Sequence, residues 1–333
     1  MKAVVLVGGE GTRLRPLTET TPKPLLPLVD RPILDHVLDH LVAHGVREVI
    51  MSSPYLEATF HPFIRSRDGV PSITWVTERK PLGTGGAIVS VLDLLGDEPF
   101  FALNGDILTD LDLRGLRTSH DTRSAAVTIA LHEVDDARAF GLVERERDGR
   151  VTAFREKPRD SVPGAINAGT YLLDPAALRS WNPHTTISIE TEIFPALIGR
   201  DLPVFGFGGD AYWLDLGTPE QYLRAHIDLL AGKVSGRVYD APWIGPGASI
   251  HPEARLGTWV VVGEGGEIGG GAGLDEAVLL PDAVVGEDVV IERSIVGPGA
   301  VIGGGARLLD AVVGGGVRIA AGERLEGERR PAG

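Results

Sequence analysis

The chain has 333 residues, 43% of them hydrophobic, which is enough for a sizeable core divided between two domains. The net charge of −14 without a basic tract argues against nucleic acid as a partner, and the absence of cysteine excludes disulfides, a thiol nucleophile and thiolate metal sites. No apolar stretch is long enough for a membrane span, and the N-terminal apolar run is too short for a signal peptide, so we expect a cytoplasmic protein without a membrane partner.

The first two-thirds of the chain alternates strand and helix patterns, which predicts a parallel sheet covered by helices, with ligands at the carboxyl ends of the strands. Predicted strands cover Lys2–Val7, Glu48–Ser52, Ile73–Thr77 and Phe100–Asn104. Predicted helices cover Pro32–His44, Tyr55–Arg65, Thr84–Leu95, Ile189–Leu197 and Pro219–Leu230. From Ala125 the pattern becomes richer in strands, and we interpret this part as the portion that folds over the sheet and receives a second substrate.

The first predicted strand runs into a loop that is rich in glycine and positive charge. The residues concerned are Gly8, Gly9, Gly11, Arg13, Arg15 and Lys23. Glycines let main-chain N–H groups approach an anion, while the arginines and the lysine add charged donors. The GGxG spacing matches neither the P-loop pattern nor the dinucleotide-binding fingerprint. The loop therefore predicts a polyphosphate site, with an ordinary glycine turn as the alternative.

Two further segments of the first half suit a nucleotide. Asp106 ends a strongly apolar strand, so its carboxylate would lie at the ligand edge of the sheet and would suit Mg²⁺. The Asn-Gly-Asp sequence is also good turn chemistry, which is the alternative for this residue. The segment Pro81–Ala87 (PLGTGGA) leads into a helix. Its small residues either form a shelf for a planar base or simply start a glycine-rich helix.

Polar residues of the second half stand out against apolar surroundings. Asp215, in AYWLDLGTPEQY, is expected to be half-buried beside a partner or a metal, whereas Thr218 is expected to cap the following helix. Lys157, in AFREKP, suits a phosphate or forms a solvated ion pair with Glu156. Asn167 lies within an apolar strand, where its amide needs a sugar hydroxyl or a backbone group as partner.

Three histidines, His36, His40 and His44, are spaced four residues apart on one predicted helix. The neighbouring apolar residues already form the buried face of that helix, so we expect the histidines along its edge or in solvent and not around a metal ion. The sequence contains neither a G-x-S-x-G motif nor a cysteine, so it gives no support to covalent catalysis.

From Ile244 an apolar residue recurs at every sixth position, with three five-residue steps, and the next residue is often glycine. This is the hexapeptide repeat of a parallel β-helix, in which three hexads make one coil, and fifteen such positions predict about five coils. The positions are Ile244, Ile250, Leu256, Val262, Ile268, Leu274, Leu280, Val285, Ile291, Val296, Ile302, Leu308, Val313, Ile319 and Leu325. We expect a first domain at 1–232, a linker at 233–243 and a β-helix at 244–333 that supports a homo-oligomer.

Together these segments resemble the sugar-1-phosphate nucleotidyltransferases, or nucleotide-sugar pyrophosphorylases. The matching segments occur in the family's order over residues 1 to about 230: GGEGTRLRPLTETTPKPLLPL, PLGTGGA, LNGDIL, FGLVE, REKP, INAGTYLLDP, ISIETEIFP and YWLDLGTPEQY. Within the family, LVGGEGTRLRPLT, ISIETEIFP and YWLDLGTP look most like the mannose-1-phosphate guanylyltransferases. The thymidylyl branch typically has a glutamine in the PLGTGGA region, and its absence here favours a purine nucleotide.

The resemblance implies an α/β fold, with a Rossmann-like, mixed and mostly parallel sheet followed by a left-handed parallel β-helix. It assigns nucleotide binding to Val7, Gly8, Gly9, Gly11, Thr12, Arg13, Lys23, Gly83, Thr84, Gly85 and Asp106. It assigns sugar-phosphate binding to Asn104, Gly105, Gly141, Glu156, Lys157, Asn167, Ala168 and Asp215. It assigns Mg²⁺ to Asp106 and Asp215, and catalysis to Arg13, Lys23, Asp106, Lys157 and Asp215.

The implied reaction needs no enzyme nucleophile, because the sugar 1-phosphate attacks the α-phosphorus of a nucleoside triphosphate in line and expels pyrophosphate. GTP and mannose 1-phosphate are the expected substrates. The alternatives are ATP, UTP or dTTP as the nucleotide, and glucose, a heptose or a sugar-like cyclitol in the 1-phosphate. Two further hypotheses are a non-catalytic regulatory subunit that binds nucleotide sugars, and a β-helix acyltransferase, for which the one histidine of the tail, His251, is thin support.

Overall fold

The computed structural model describes residues 1–54, 57–67 and 69–331. The chain divides into two compact units, which are taken separately below: unit 1 is Met1–Gly9 with Val37–Trp213, and unit 2 is Glu10–His36 with Leu214–Gly333. Tyr55, the start of one predicted helix, and residues 332 and 333, the end of the predicted β-helix, lie outside the described residues. Within the described ranges, no helix is both long and apolar enough to cross a membrane.

The elements of the first two-thirds follow the predicted alternation. The strands are β1 (Lys2–Leu6), β2 (Pro27–Leu28), β3 (Arg31–Pro32), β4 (Glu48–Ser53), β5 (Ser72–Thr77), β6 (Phe100–Asn104), β7 (Ile107–Thr109), β8 (Val127–Val134), β9 (Gly141–Arg145), β10 (Val151–Glu156), β11 (Gly164–Leu173), β12 (Val204–Gly208) and β13 (Trp213–Asp215). The α-helices are α1 (Ile33–Ala43), α2 (Glu57–Ser66), α3 (Gly83–Ser90), α4 (Leu92–Leu95), α5 (Leu113–Thr122), α6 (Pro175–Leu178), α7 (Phe194–Gly199) and α8 (Pro219–Leu230). Two 3-10 turns cover Thr12–Leu14 and Lys23–Leu25, and a π-helical turn covers Ile189–Ile193.

Unit 1 is built on a nine-stranded mixed sheet with the main order β10-β9-β11-β6-β1-β4-β5; off this path, β8 pairs with β11, and β12 pairs with β8. Strand β1 is parallel to β4 and β6, and β4 is parallel to β5. Strand β11 is antiparallel to β6, β8 and β9. The carboxyl ends of β1, β4, β5 and β6 therefore meet at one edge, which is the edge where α/β sheets bind ligands.

The helix ends show which local signals decide structure. Helix α8 covers the predicted range, and the Thr218 hydroxyl caps it by accepting from the Gln221 N–H at 3.3 Å. The predicted helix over residues 84–95 is instead broken between α3 and α4. There the Val91 N–H donates to the Ile88 carbonyl at 3.2 Å, an i to i−3 closure that fits a segment rich in β-branched residues.

The C-terminal part of unit 2 consists of short parallel strands in three sheets. The strands are β14 (Trp243–Ile244), β15 (Ser249–Ile250), β16 (Arg255–Leu256), β17 (Val261–Val262), β18 (Glu267–Ile268), β19 (Gly273–Asp275), β20 (Val278–Leu279), β21 (Val284–Val285), β22 (Val290–Glu292), β23 (Ile295–Val296), β24 (Val301–Ile302), β25 (Arg307–Leu309), β26 (Val312–Val313), β27 (Arg318–Ile319), β28 (Arg324–Glu326) and β29 (Arg329–Arg330). Every third strand belongs to the same sheet, giving sheets of six, five and five strands. The predicted fold class, an α/β domain followed by a parallel β-helix, is confirmed.

Two details of the sequence analysis are wrong. Leu279, and not Leu280, pairs in register with Val262 and Val296, because the five-residue step comes one hexad earlier than the sequence pattern suggested. Both leucines are buried, so hydrophobicity alone did not distinguish them. His36 is 1% exposed and not at a helix edge: its Nε2 bonds to the Leu28 carbonyl at 2.9 Å, and Arg237 donates to its main-chain oxygen at 2.8 Å.

Candidate active site

A cleft of about 340 Å³ opens at the carboxyl edge of the unit 1 sheet. Its walls are Leu6, Gly8, Gly9, Ser52, Pro54, Glu78, Pro81, Gly83, Thr84, Ala87, Asn104 and Asp106. Six of these residues, Gly8, Gly9, Gly83, Thr84, Asn104 and Asp106, were predicted as site residues from the sequence. Parallel pairing explains the grouping, since Leu6 lies beside Ser52 on one side and beside Asn104 on the other.

The glycines after β1 bring the main chain to the cleft. A Cβ on Gly8 would come within 3.0 Å of the Pro54 ring, whereas a Cβ on Gly9 would have no neighbour within 4 Å among the described residues. Close packing against Pro54 therefore disfavours a side chain at position 8. Val7, also predicted, turns its side chain into the interior, where it approaches Gly105 so closely that a Cβ on Gly105 would lie 2.9 Å away.

Glu78 is a charged cleft residue that the sequence analysis missed. Its side chain is 8% exposed, and its two carboxylate oxygens accept from the Ser52 hydroxyl at 2.8 Å and from the Leu82 N–H at 2.9 Å. A carboxylate has about four acceptor positions, so each oxygen keeps capacity for a ligand donor. The signal was available, because Glu78 directly follows β5, at the same strand edge as Asp106.

The segment PLGTGGA packs against a second segment, Thr185–Ile189. A Cβ on Gly83, whose φ is +72°, would come within 2.7 Å of the Ile187 carbonyl oxygen. The N–H groups of Gly85 and Gly86 both donate to that oxygen at 3.0 Å. Gly85 thus has a packing role in holding the two segments together, while Gly83 and Thr84 line the cleft.

Thr84 ties this wall to the π-helical turn of ISIETEIFP. Its hydroxyl donates to Glu190 at 2.7 Å and accepts from the Ile189 N–H at 3.0 Å. The Ser188 hydroxyl donates to the same Glu190 oxygen at 2.9 Å. The segment ISIETEIFP therefore supplies the hydrogen-bonding groups that hold Thr84 in the cleft wall.

Three of the predicted sugar-phosphate residues, Gly141, Glu156 and Asn167, lie on neighbouring strands of the unit 1 sheet. Gly141 of β9 pairs with Glu156 of β10, and a Cβ on Gly141 would come within 2.5 Å of the Phe154 ring. On the other side of β9, Leu142 pairs with Ile166 of β11. Because the two strands are antiparallel, Asn167 of β11 lies across from Gly141. Sheet register therefore brings Gly141, Glu156 and Asn167 together.

Asn167 is satisfied within the strand. Its amide N–H donates to the Tyr171 hydroxyl at 2.8 Å, and its carbonyl oxygen accepts from the Gly169 N–H at 3.0 Å. Burial raises the pKa of Tyr171 well above its usual value, and the negative charge of Glu190 adds to this. Ala168 is buried, and its carbonyl accepts from the Trp213 indole at 2.9 Å. The bonds to the Tyr171 oxygen and from the Gly169 N–H together fix the Asn167 side chain.

Unit 2 holds a separate cluster of predicted residues. An oxygen of Asp215 lies 3.7 Å from Arg13 and the other lies 3.7 Å from Lys23. The Asp215 side chain is 20% exposed, which confirms that it is half-buried, and the Lys23 side chain is 7% exposed, so its charge is held in a buried position. Two cations around one carboxylate leave a net positive site that attracts an anion.

Glycines allow this cluster to form. Gly11 has φ +62° and starts the turn Thr12–Leu14, and a Cβ there would come within 3.2 Å of the Lys23 side chain. A Cβ on Gly217 would lie 2.6 Å from the Arg13 guanidinium, so Gly217 is a second position that the sequence analysis missed. Its signal was the LDLG sequence, in which glycine follows the carboxylate by two residues.

The donor chemistry fits a Mg²⁺ ion that is completed by substrate phosphates. In residues 1–54, 57–67 and 69–331, no three His, Asp or Glu side chains gather as a metal site. Mg²⁺ usually uses one or two carboxylates plus phosphate oxygens instead of a protein cage, and Asp106 in the cleft supplies a carboxylate of this kind. Asp215 is placed between two cations, so a metal ion would reach it only together with phosphate anions.

Comparison with known proteins decides the family. The family model described as "Nucleotidyl transferase" matches residues 2–232, and a model described as "GMPPB C-terminal domain" matches residues 238–329. The chain belongs to the nucleotidyl transferase family. Both matches agree with a catalytic α/β part followed by strand repeats.

Named relatives of this nucleotidyl transferase include mannose-1-phosphate guanylyltransferase of Mycobacterium tuberculosis, which is 40% identical over 83% of this chain and 79% of the relative. The mannose-1-phosphate guanylyltransferase catalytic subunit beta of Danio rerio is 35% identical over 77% of this chain and 73% of the relative. Among solved structures, HddC from Yersinia pseudotuberculosis in complex with GMP-PN has a TM-score of 0.59 at 31% identity, covering 67% of this chain and 97% of that chain.

The two groups of residues suit the chemistry of this family. Nucleotidyl transfer joins two anions, so the protein must hold them in line and neutralise charge as it develops. Taken separately, unit 1 has a glycine-lined cleft with two carboxylates, Asp106 and Glu78, and unit 2 has two cations, Arg13 and Lys23, beside Asp215. No nucleophilic side chain of the protein is needed for this reaction.

Proposed function

We propose that this chain transfers the guanylyl group of GTP to mannose 1-phosphate, giving GDP-mannose and pyrophosphate. Relatives at 34–40% identity carry the name mannose-1-phosphate guanylyltransferase, and they are covered over most of their length. A solved neighbour contains the guanine nucleotide analogue GMP-PN. The names of these relatives suggest the two substrates, and the chemistry of the cleft supports guanine as the base of the nucleotide.

The observation that carries the choice of base is the buried carboxylate of Glu78. Guanine presents two adjacent N–H donors, N1–H and the N2 amino group, and one carboxylate accepts both. Adenine presents an acceptor at N1, which a carboxylate would repel. A site built to accept from a ligand N–H discriminates strongly against an analogue that lacks it. Glu78 lines the cleft together with Gly83 and Thr84, which the resemblance assigns to the nucleotide.

The roles of the remaining residues follow from charge. Arg13 and Lys23 would hold the triphosphate, and Lys157 and Asn167 would hold the sugar phosphate. Mg²⁺ would be held by Asp106, with Asp215 and substrate phosphates, and when bound it offsets the phosphate charge. The attacking oxygen belongs to the sugar phosphate, so positioning by these side chains is the protein's contribution.

The proposal also covers the domain boundaries, the oligomeric state and the cellular location. We assign residues 1–232 to the catalytic domain, 233–243 to a linker and 244–333 to the β-helix. A homo-oligomer and a cytoplasmic location stay predictions from the sequence.

The variant Glu78→Gln tests the assignment of the base. Glutamine keeps an oxygen for the Leu82 N–H but replaces one acceptor by a donor, so the ratio of kcat/KM for GTP over ATP should fall about tenfold or more. The assay measures pyrophosphate release with five nucleoside triphosphates at saturating mannose 1-phosphate. Glu98→Gln, at an exposed position of the same unit, is the matched control. An unchanged preference for GTP in Glu78→Gln would contradict the assignment.

A further inference from the structure

The last coil of the β-helix contacts the loop that contains Arg13. Arg329, in β29, donates from Nη1 to the main-chain oxygen of Arg13 at 2.8 Å and to that of Arg15 at 3.4 Å. Its Nη2 lies 3.7 Å from the carboxylate of Glu220, in the first turn of α8. All four residues belong to unit 2, so one guanidinium connects three segments that are far apart in the sequence.

The two carbonyls reached by Arg329 alternate with carbonyls that the loop satisfies by itself. The Gly11 carbonyl accepts from the Leu14 N–H and the Thr18 hydroxyl, the Thr12 carbonyl accepts from the Arg15 N–H, and the Leu14 carbonyl accepts from the Leu17 N–H. Arg13 and Arg15 stand on either side of Leu14, at the C-terminal end of the turn Thr12–Leu14. Carbonyls at the end of a helical turn carry partial negative charge and favour a cation.

Fixing the main chain at Arg13 also restricts its side chain. The Arg13 side chain is 66% exposed, and its contact with Asp215 is long at 3.7 Å, so this ion pair holds it only weakly. The guanidinium instead passes over Gly217, where there is no Cβ to displace it. A long side chain that is already placed loses less conformational entropy when an anion binds.

We propose that Arg329 is a positioning residue for nucleotide binding: it holds the turn Thr12–Leu14 and thereby places Arg13 toward the triphosphate. The inference rests on the proposed function for the role of Arg13. Arg329 itself touches main-chain carbonyls and not substrate, so its effect on the reaction is indirect. The β-helix then has a role within the single chain, in addition to any role in assembly.

The first test needs no substrate. Hydrogen–deuterium exchange of the full-length protein should show faster exchange in the peptide covering residues 11–17 for Arg329→Ala. Arg324→Ala is the control, since Arg324 is an exposed strand residue of the same coil and the structure shows no ion pair for it among the described residues. Equal exchange of residues 11–17 in wild type and Arg329→Ala would overturn the proposal. A general fall in the urea midpoint of Arg329→Ala would also overturn it, because the role would then be global stability.

The second test is kinetic. Arg329→Ala should raise the KM for GTP about tenfold, with the KM for mannose 1-phosphate changed less than about twofold, since misplacement of a binding group acts mainly on its own substrate. Arg329→Lys should recover part of this loss, because lysine donates to a carbonyl but lacks the planar fork. A GTP KM unchanged in Arg329→Ala would overturn the proposal. If wild type itself does not use GTP, the proposed function fails, and the exchange experiment alone decides the role of Arg329.

Discussion

Lys157, to which we assign the sugar phosphate, combines a left-handed backbone with an exposed charge. It has φ +47°, a left-handed conformation that is costly for a residue with a side chain, and its N–H donates to the Phe140 carbonyl at 3.0 Å. Its ammonium lies 3.1 Å from Glu156 but is 66% exposed, so the ion pair adds little stability. Strained backbone that supports an exposed cation is typical of a functional position.

We therefore expect Lys157→Ala to raise the KM for mannose 1-phosphate about 10- to 100-fold, because one charge-assisted hydrogen bond to phosphate is lost. The KM for GTP should change less than about twofold, since the triphosphate is assigned to Arg13 and Lys23. Steady-state kinetics with each substrate varied in turn measure both. Arg147→Ala, in the turn at the far end of the same β9–β10 hairpin, is the control. Equal effects on both substrates would contradict the assignment of Lys157.

Two buried histidines make unit 2 sensitive to acid. His36 is 1% exposed and donates from Nε2 to the Leu28 carbonyl at 2.9 Å, and His226 is fully buried and accepts at Nδ1 from the Val29 N–H at 3.2 Å. Burial, followed by the positive charge of Arg237, lowers the pKa of His36 to about 4. Burial, followed by the charge of His36, lowers the pKa of His226 to about 3.

Both histidines are neutral when folded and take up protons near their ordinary pKa of 6.5 when unfolded. The unfolded state therefore binds more protons between pH 6.5 and the folded values, so stability falls as pH is lowered through that window. Between pH 7 and pH 5 the two groups should together cost about 2–4 kcal/mol in the free energy of unfolding. Urea unfolding at a series of pH values measures this.

His36→Gln keeps a donor for the Leu28 carbonyl but does not titrate, so it should reduce the dependence of the unfolding free energy on pH. The exposed His184 provides the control, since His184→Gln should leave that dependence unchanged. A wild-type urea midpoint that is the same at pH 7 and pH 5 would contradict the assigned neutral state of the buried pair.

At the scale of the element, the packing of successive coils in the β-helix explains why some positions need glycine and others do not. A Cβ on Gly263 would come within 2.6 Å of the main-chain nitrogen of Pro281 in the next coil, and the atoms around it are backbone that cannot rotate away. A Cβ on Gly273, in a strand, would meet nothing within 4 Å. Glycine at position 263 is therefore required by the stacking of coils at this corner.

The two glycines make a matched pair of variants. Gly263→Ala should lower the free energy of unfolding by roughly 1–3 kcal/mol, because overpacking forces the coils apart. Gly273→Ala should change it by less than about 0.5 kcal/mol. Chemical denaturation of both variants beside wild type gives the comparison. Equal stability of the two variants would show that coil stacking tolerates a side chain at the corner.

How well an element could be predicted depended on whether its signals are local. Helix α8 starts and ends as predicted because a cap, a proline and an apolar face agree along one segment. Strand β6 also has its predicted bounds, because the apolar residues Phe100–Leu103 are followed directly by the polar Asn104. The position of Leu279 in its coil was missed because two adjacent leucines fit the repeat equally well, and register with other coils decided between them.

At the scale of the whole molecule, the sequence predicted half of the residues that line the cleft but not how they are supported. The cleft residues Gly8 and Asp106 follow strands directly, so the strand-edge rule found them. The bond between Thr84 and Glu190 joins residues 106 positions apart, and the contact of Arg329 with Arg13 joins residues 316 apart. Such pairs arise from tertiary packing, for which one sequence carries no local signal.

The most direct test of the proposed function is to identify the products of one reaction. Wild-type protein with Mg²⁺, GTP and mannose 1-phosphate should yield GDP-mannose and pyrophosphate in equal amounts, followed by phosphorus NMR, and neither product should form when one substrate is omitted. Parallel reactions with ATP, UTP and dTTP, and with glucose, heptose and cyclitol 1-phosphates, should be slower. Release of GDP and orthophosphate from GTP, or faster formation of a different nucleotide sugar, would contradict the proposed guanylyl transfer to mannose 1-phosphate.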